Sequence, residues 1–111
     1  MGELSKLPNI GKVLENQLND VGIDTVDELI DIGSKEAWLK IREIDESACI
    51  NRLMALEGAI QNIRWHDLSD EDKDDLRRFY DLEKRWFSLI IKIRKSLKNF
   101  LKKIIMIIWN H

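Results

Sequence analysis

Apolar residues recur at three- and four-residue intervals from Leu14 to Ile107, the spacing of helix faces. Leu14, Leu18 and Val21 form a first short amphipathic helix that stops at Gly22. Thr25-Val26-Asp27-Glu28 has the form of a capping box. It predicts a second helix with Val26, Leu29 and Ile30 as its buried stripe, ended at Gly33 where a left-handed residue is wanted. Ser34 reads as the cap of a third helix, with Glu36 in its first turn and Ala37, Trp38, Ile41 and Ile44 on the apolar side. Trp38 is assigned to the core. Beyond Asp45-Glu46-Ser47, the residues Cys49, Leu53, Leu56, Ile60 and Ile63 give a fourth, central helix widened by Ile50 and Met54. Gly58 costs about 1 kcal/mol relative to Ala within a helix, so with Ala55 and Ala59 it predicts a smooth side that packs closely.

Ser69 caps a fifth helix whose first turn holds Asp70, Glu71 and Asp72, complementing the helix dipole. No Gly or Pro follows, so the helix is expected to run to Ile108, on the order of 60 Å. Leu76, Phe79, Trp86, Ile90, Ile93, Leu97, Phe100, Ile104 and Ile107 form a heptad-like seam interrupted only at Glu83. The elements sum to an all-α fold: a small multi-helix domain over residues 1–80 and a basic amphipathic helical extension over residues 81–111.

One stretch implies a particular backbone shape. In Leu7-Pro8-Asn9-Ile10-Gly11-Lys12, Pro8 presets a turn, Asn9 tolerates left-handed geometry and Gly11 permits close approach just ahead of the first helix. Such a turn presents backbone N–H groups where the helix dipole favours an anion, and phosphate is the obvious one. The pattern resembles helix-hairpin-helix elements, which grip nucleic-acid backbones without reading bases. It departs from them at Asn9, where glycine is usual, and no helix is evident in residues 1–6. The alternative is a tight turn needed only to pack two helices.

Charge changes this picture. Residues 1–80 hold ten Lys/Arg against eighteen Asp/Glu, a net −8, while residues 81–111 hold eight against two, a net +6. An acidic body is a poor non-specific DNA binder, because duplex affinity comes largely from neutralising phosphates. Six cations, Lys92, Arg94, Lys95, Lys98, Lys102 and Lys103, exclude a bilayer span. For the seam of Trp86, Ile90, Ile93, Leu97, Phe100, Ile104 and Ile107, the leading expectation is burial against protein, as a homodimer with a second copy. Packing on the chain's own body, a membrane-surface helix and an extension without function are the alternatives.

Catalytic chemistry finds little material. The single Cys49 excludes a disulfide framework within the chain and suits a cytoplasmic location, and no apolar leader precedes Pro8. Asp70-x-Asp72-x-Asp74 lacks the glycine of a calcium loop, whose sixth position is Asp75, so no metal is assigned. His66-Asp67 has no accompanying nucleophile and reads as structural. The expectation is no enzyme, no catalytic residue and no cofactor.

The order of segments resembles a known family. Leu7-Pro8-Asn9-Ile10-Gly11, Gly22-Ile23-Asp24-Thr25-Val26-Asp27-Glu28-Leu29, Ile32-Gly33-Ser34-Lys35-Glu36-Ala37-Trp38, Ala55-Leu56-Glu57-Gly58-Ala59-Ile60 and Arg64-Trp65-His66-Asp67-Leu68 together look like the C-terminal domain of the TfoX/Sxy family of bacterial competence regulators. The resemblance covers about residues 4–80. It implies a helical domain whose relatives are associated with control of DNA-uptake genes. Full-length members carry a further N-terminal domain, for which this chain is expected to have no room. The expected function is a regulator-like module acting through protein contacts, with weak, sequence-independent DNA-backbone contact by Leu7, Pro8, Asn9, Ile10, Gly11 and Lys12. The alternative is an adaptor or oligomerisation module with no nucleic-acid role.

Overall fold

A computed structural model describes residues 2–109. The chain is all-α, with helices α1 (Lys12–Asp20), α2 (Val26–Ile32), α3 (Ser34–Ile44), α4 (Ile50–Gln61) and α5 (Asp70–Trp109), and single 3₁₀ turns at Glu3–Lys6 and Trp65–Asp67. Among the described residues there is no strand. The chain divides into two compact units, the first ending at Phe79 and the second starting at Tyr80.

The first unit is built around α3 and α4. Trp38, Ile41, Leu53 and Leu56 are fully buried with Leu4, Leu18 and Leu29 from the surrounding elements. Burial of each such side chain is worth about 1.5–3 kcal/mol. The indole N–H of Trp38 donates to the Cys49 carbonyl at 3.2 Å, so the buried polar atom is satisfied. Phe79 meets the Trp38 ring edge-on at 6.1 Å, and the Arg42 guanidinium lies 5.1 Å from its centroid.

Helix ends follow local chemistry. α1 closes in a Schellman motif: Gly22 (φ +89°) occupies the left-handed position, and the Ile23 and Gly22 amides donate to Leu18 and Asn19 carbonyls. α4 ends the same way on Asn62 (φ +60°). Thr25 Oγ1 accepts from the Glu28 amide as expected, but Glu28 reaches the Asp24 amide rather than that of Thr25. The α5 start is capped by Ser69 Oγ, which accepts from the Asp72 amide at 3.0 Å.

Several expectations are corrected. The segment ahead of the opening turn is not featureless: Glu3–Lys6 forms a 3₁₀ turn, held by the buried Glu15 carboxylate, which accepts from the Ser5 amide at 2.9 Å and the Gly2 amide at 3.4 Å. Glu3 in turn accepts from the Val26 amide at 2.7 Å and so caps α2. Ser34 does not cap α3; Gly33 (φ +84°, ψ 162°) serves both α2 and α3, and the Ser34 hydroxyl donates to Glu57 Oε1 at 2.7 Å. Ile30 and Ile44 are exposed, because the faces of α2 and α3 are narrower than the apolar runs. Cys49 lies outside the buried stripe, as the exposed N-cap of α4. Gly11 has an extended backbone (φ −93°, ψ −174°), and a Cβ built there meets nothing within 4 Å, so neither positive φ nor close approach requires glycine.

Candidate functional site

The opening turn is held from below by one side chain. Asn9 adopts φ +70°, a conformation that Asn tolerates better than most residues. Its Nδ2 donates to the Ile63 carbonyl at 2.9 Å and the Ala55 carbonyl at 3.4 Å, while Oδ1 accepts from the Trp65 amide at 3.1 Å. Gly58 makes this clamp possible: a Cβ there would lie 2.6 Å from Asn9 Nδ2, 2.9 Å from Ile63 O and 3.1 Å from Trp65 Cα. The close packing predicted at Gly58 is therefore real, but its partners are the opening turn and the second 3₁₀ turn rather than another helix face.

The six candidate residues of the turn fall on different sides. Ile10 is buried at 5% exposure, and Leu7 and Pro8 are half-buried. The Asn9 amide is engaged at both ends and faces the domain. Gly11 and Lys12 are exposed at the start of α1, where no side chain caps the helix. The first α1 bond runs from the Glu15 amide to the Gly11 carbonyl, so the amides ahead of it end a helix dipole with no intrahelical acceptor. The arrangement offers an anion backbone N–H groups and one ammonium on a turn fixed by three hydrogen bonds.

In the second unit, Trp86, Ile90, Ile93, Leu97, Phe100 and Ile107 are all exposed, from 47% at Ile90 to 61% at Ile107, and Ile104 is half-buried. The exposed face is wider than the seam, since Leu82, Leu89 and Leu101 share it. Placing every residue at about 100° per step, instead of following one heptad row, would have found them.

Two further features were missed. Trp65 and His66 stack at 3.8 Å, and Lys73 Nζ donates to the His66 carbonyl at 2.9 Å, which ties the second 3₁₀ turn to α5. A surface cleft of about 450 Å³ beside the α2–α3 junction is bounded by Gly33, Ser34, Glu57, Asp72 and Asp75 among others. Four of its charged residues are engaged: Lys35 Nζ lies 2.7 Å from Asp75, whose carboxyl it holds below the usual range, Glu57 accepts from the Ser34 hydroxyl, and Gln61 donates to Asp72 at 3.0 Å. Among the described residues, no buried side-chain polar atom lacks a partner and no three His, Cys, Asp or Glu converge on a metal position.

Turn, clamp and core place the first unit among small all-α domains that present a fixed helix N-terminus. The chain belongs to the TfoX C-terminal domain family, which it matches over residues 1–80. Over 78 residues it is 35% identical to Protein Sxy of Escherichia coli (strain K12), a similarity that covers 70% of this chain and 37% of that relative. It thus spans little more than a third of the length of the curated relative it matches. An uncharacterised protein from Listeria monocytogenes, solved in a triclinic crystal, is 54% identical with a TM-score of 0.72, covering 73% of this chain and 92% of that one. A Listeria monocytogenes protein of unknown function, in a tetragonal crystal, is 56% identical with a TM-score of 0.70, covering 71% and 96%.

Proposed function

We propose that the chain is a non-enzymatic, cytoplasmic module of the competence-regulator type, acting through protein contacts and through weak, sequence-independent contact with the DNA backbone. Membership of the TfoX C-terminal domain family carries the regulatory part. Support for the DNA part is the uncapped start of α1 beside exposed Lys12 on a turn that Asn9 holds rigid. Against the net −8 of residues 1–80, this element supplies a few directed contacts and little long-range attraction. Binding is therefore expected to be weaker than about 1 µM at physiological salt and to fall as salt rises. Anisotropy titrations of a labelled duplex at low and moderate salt test it, with Lys12→Glu expected to weaken binding to every sequence alike. No binding at low salt, or binding indifferent to Lys12→Glu, selects the second reading. That reading is an adaptor or oligomerisation module with no nucleic-acid role, favoured by the acidic body and by the apolar seam of α5.

A further inference from the structure

Residues 84–109 of α5 carry eight Lys/Arg and no Asp/Glu. At about 100° per residue, Trp86, Ile90, Ile93, Leu97, Phe100 and Ile104 fall within an arc of about 80°; Arg94 flanks it on one side, Arg85 and Lys103 flank it on the other, and the remaining cations lie opposite. The large apolar side chains of this face are mostly exposed, Trp86 at 59% and Phe100 at 57%. Among the described residues no helix is long and apolar enough to cross a membrane. We propose that this part of α5 docks on an anionic lipid surface, tilted so that residues 84–103 lie along the interface and residues 104–109 insert among the acyl chains.

Two observations favour lipid over a second copy of the chain. A paired helix is stabilised by opposite charges flanking its seam, whereas two copies of residues 84–109 bring only cations together. The stretch 104–109 is apolar at all six positions and so points apolar side chains to every side of the helix; Ile105, Met106, Ile108 and Trp109 are 59–86% exposed. A partner helix covers one face and leaves the others in water, while an acyl layer covers all of them. Anionic headgroups meet the Lys/Arg face at the same time, the pattern of interfacial helices. The proposal is independent of the DNA reading, since Lys12 and the opening turn take no part in it.

Co-sedimentation of the full chain with phosphatidylcholine vesicles, with and without 30 mol% phosphatidylglycerol, tests it, a lipid-free spin serving as control. Binding is expected only to the anionic vesicles and to weaken as salt screens the surface. Lys98→Glu with Lys102→Glu is expected to reduce partitioning by at least about 25-fold, roughly fivefold for each cation removed. Ile105→Asn with Ile108→Asn is expected to reduce it at unchanged charge. Equal binding to neutral vesicles, no binding at low salt, or insensitivity to the lysine pair overturns the proposal. A dimer by light scattering in a chain that ignores vesicles assigns the face to a second copy instead. Lys98 and Lys102 are exposed, and unchanged far-ultraviolet circular dichroism confirms that the variant helix is intact.

Discussion

Asn9 was legible as a residue that tolerates a left-handed backbone, yet its second role was not. The groups it binds, on Ala55, Ile63 and Trp65, lie 46 to 56 positions away, and no local pattern links them. Gly58 gave half of the signal: a mid-helix glycine announces a close neighbour without naming it. Glycine at position 9 would satisfy the backbone but leave the Trp65 amide and the Ile63 carbonyl without their partner. Asn9→Ala is expected to destabilise the first unit by about 2–4 kcal/mol, through lost hydrogen bonds and left-handed strain, and Asn9→Gly by about 1–2 kcal/mol less than that. In a domain of this size the alanine variant should melt at least about 10 °C below the parent. Equal melting temperatures for Asn9→Ala, Asn9→Gly and the parent would remove the clamp from the account.

At the scale of elements, periodicity located all five helices because each carries an apolar face long enough to show its period. The errors sit where an element is short or shares an end. Four residues of 3₁₀ turn at Glu3–Lys6 carry no period, and one glycine between α2 and α3 left Ser34 free for Glu57. Asp45, read only as a separator, joins three helices. Its carboxylate accepts from Gln17 on α1 at 2.9 Å and from Arg52 on α4 at 2.7 Å, and it receives the Ser47 hydroxyl and amide at 2.6 and 3.0 Å at the end of α3. Ser47 foremost, then Arg52 and Gln17, hold the Asp45 carboxyl far below its ordinary value of 3.8. A depressed folded pKa contributes stability that is fully present above the unfolded value and is lost as pH falls through the folded one. The stability difference between the parent and Asp45→Asn should therefore be constant above about pH 5 and shrink steadily below pH 3.8. Urea unfolding from pH 2.5 to 6 measures it; a difference that stays flat across that range would show that the carboxylate's charge is not what matters there.

At the scale of the whole molecule, the change from acidic to basic near residue 80 is plain in the sequence, and the first structural unit ends at Phe79. What composition could not supply is the independence of the core. Among the described residues, no buried apolar side chain lies beyond Leu76, so the first unit completes its interior before the basic stretch begins. A chain ended after Tyr80 should keep one cooperative thermal transition within about 4 °C of the full chain, a shift worth no more than about 1 kcal/mol. Circular dichroism melts of the two proteins make the comparison. A drop beyond about 10 °C would mean that the basic helix contributes to the core after all.

The placement of the four tryptophans gives the chain an optical consequence. Trp38 is 1% exposed and Trp65 half-buried, both in the first unit; Trp86 and Trp109, in the second, are 59% and 86% exposed. Indole emission moves to longer wavelength when a buried ring meets water and to shorter wavelength when an exposed ring leaves it. Loss of the core therefore shifts Trp38 toward the red, while covering of the basic helix shifts Trp86 and Trp109 toward the blue. The two events write opposite signs into one emission spectrum, and the unlabelled protein reports which of its halves has changed.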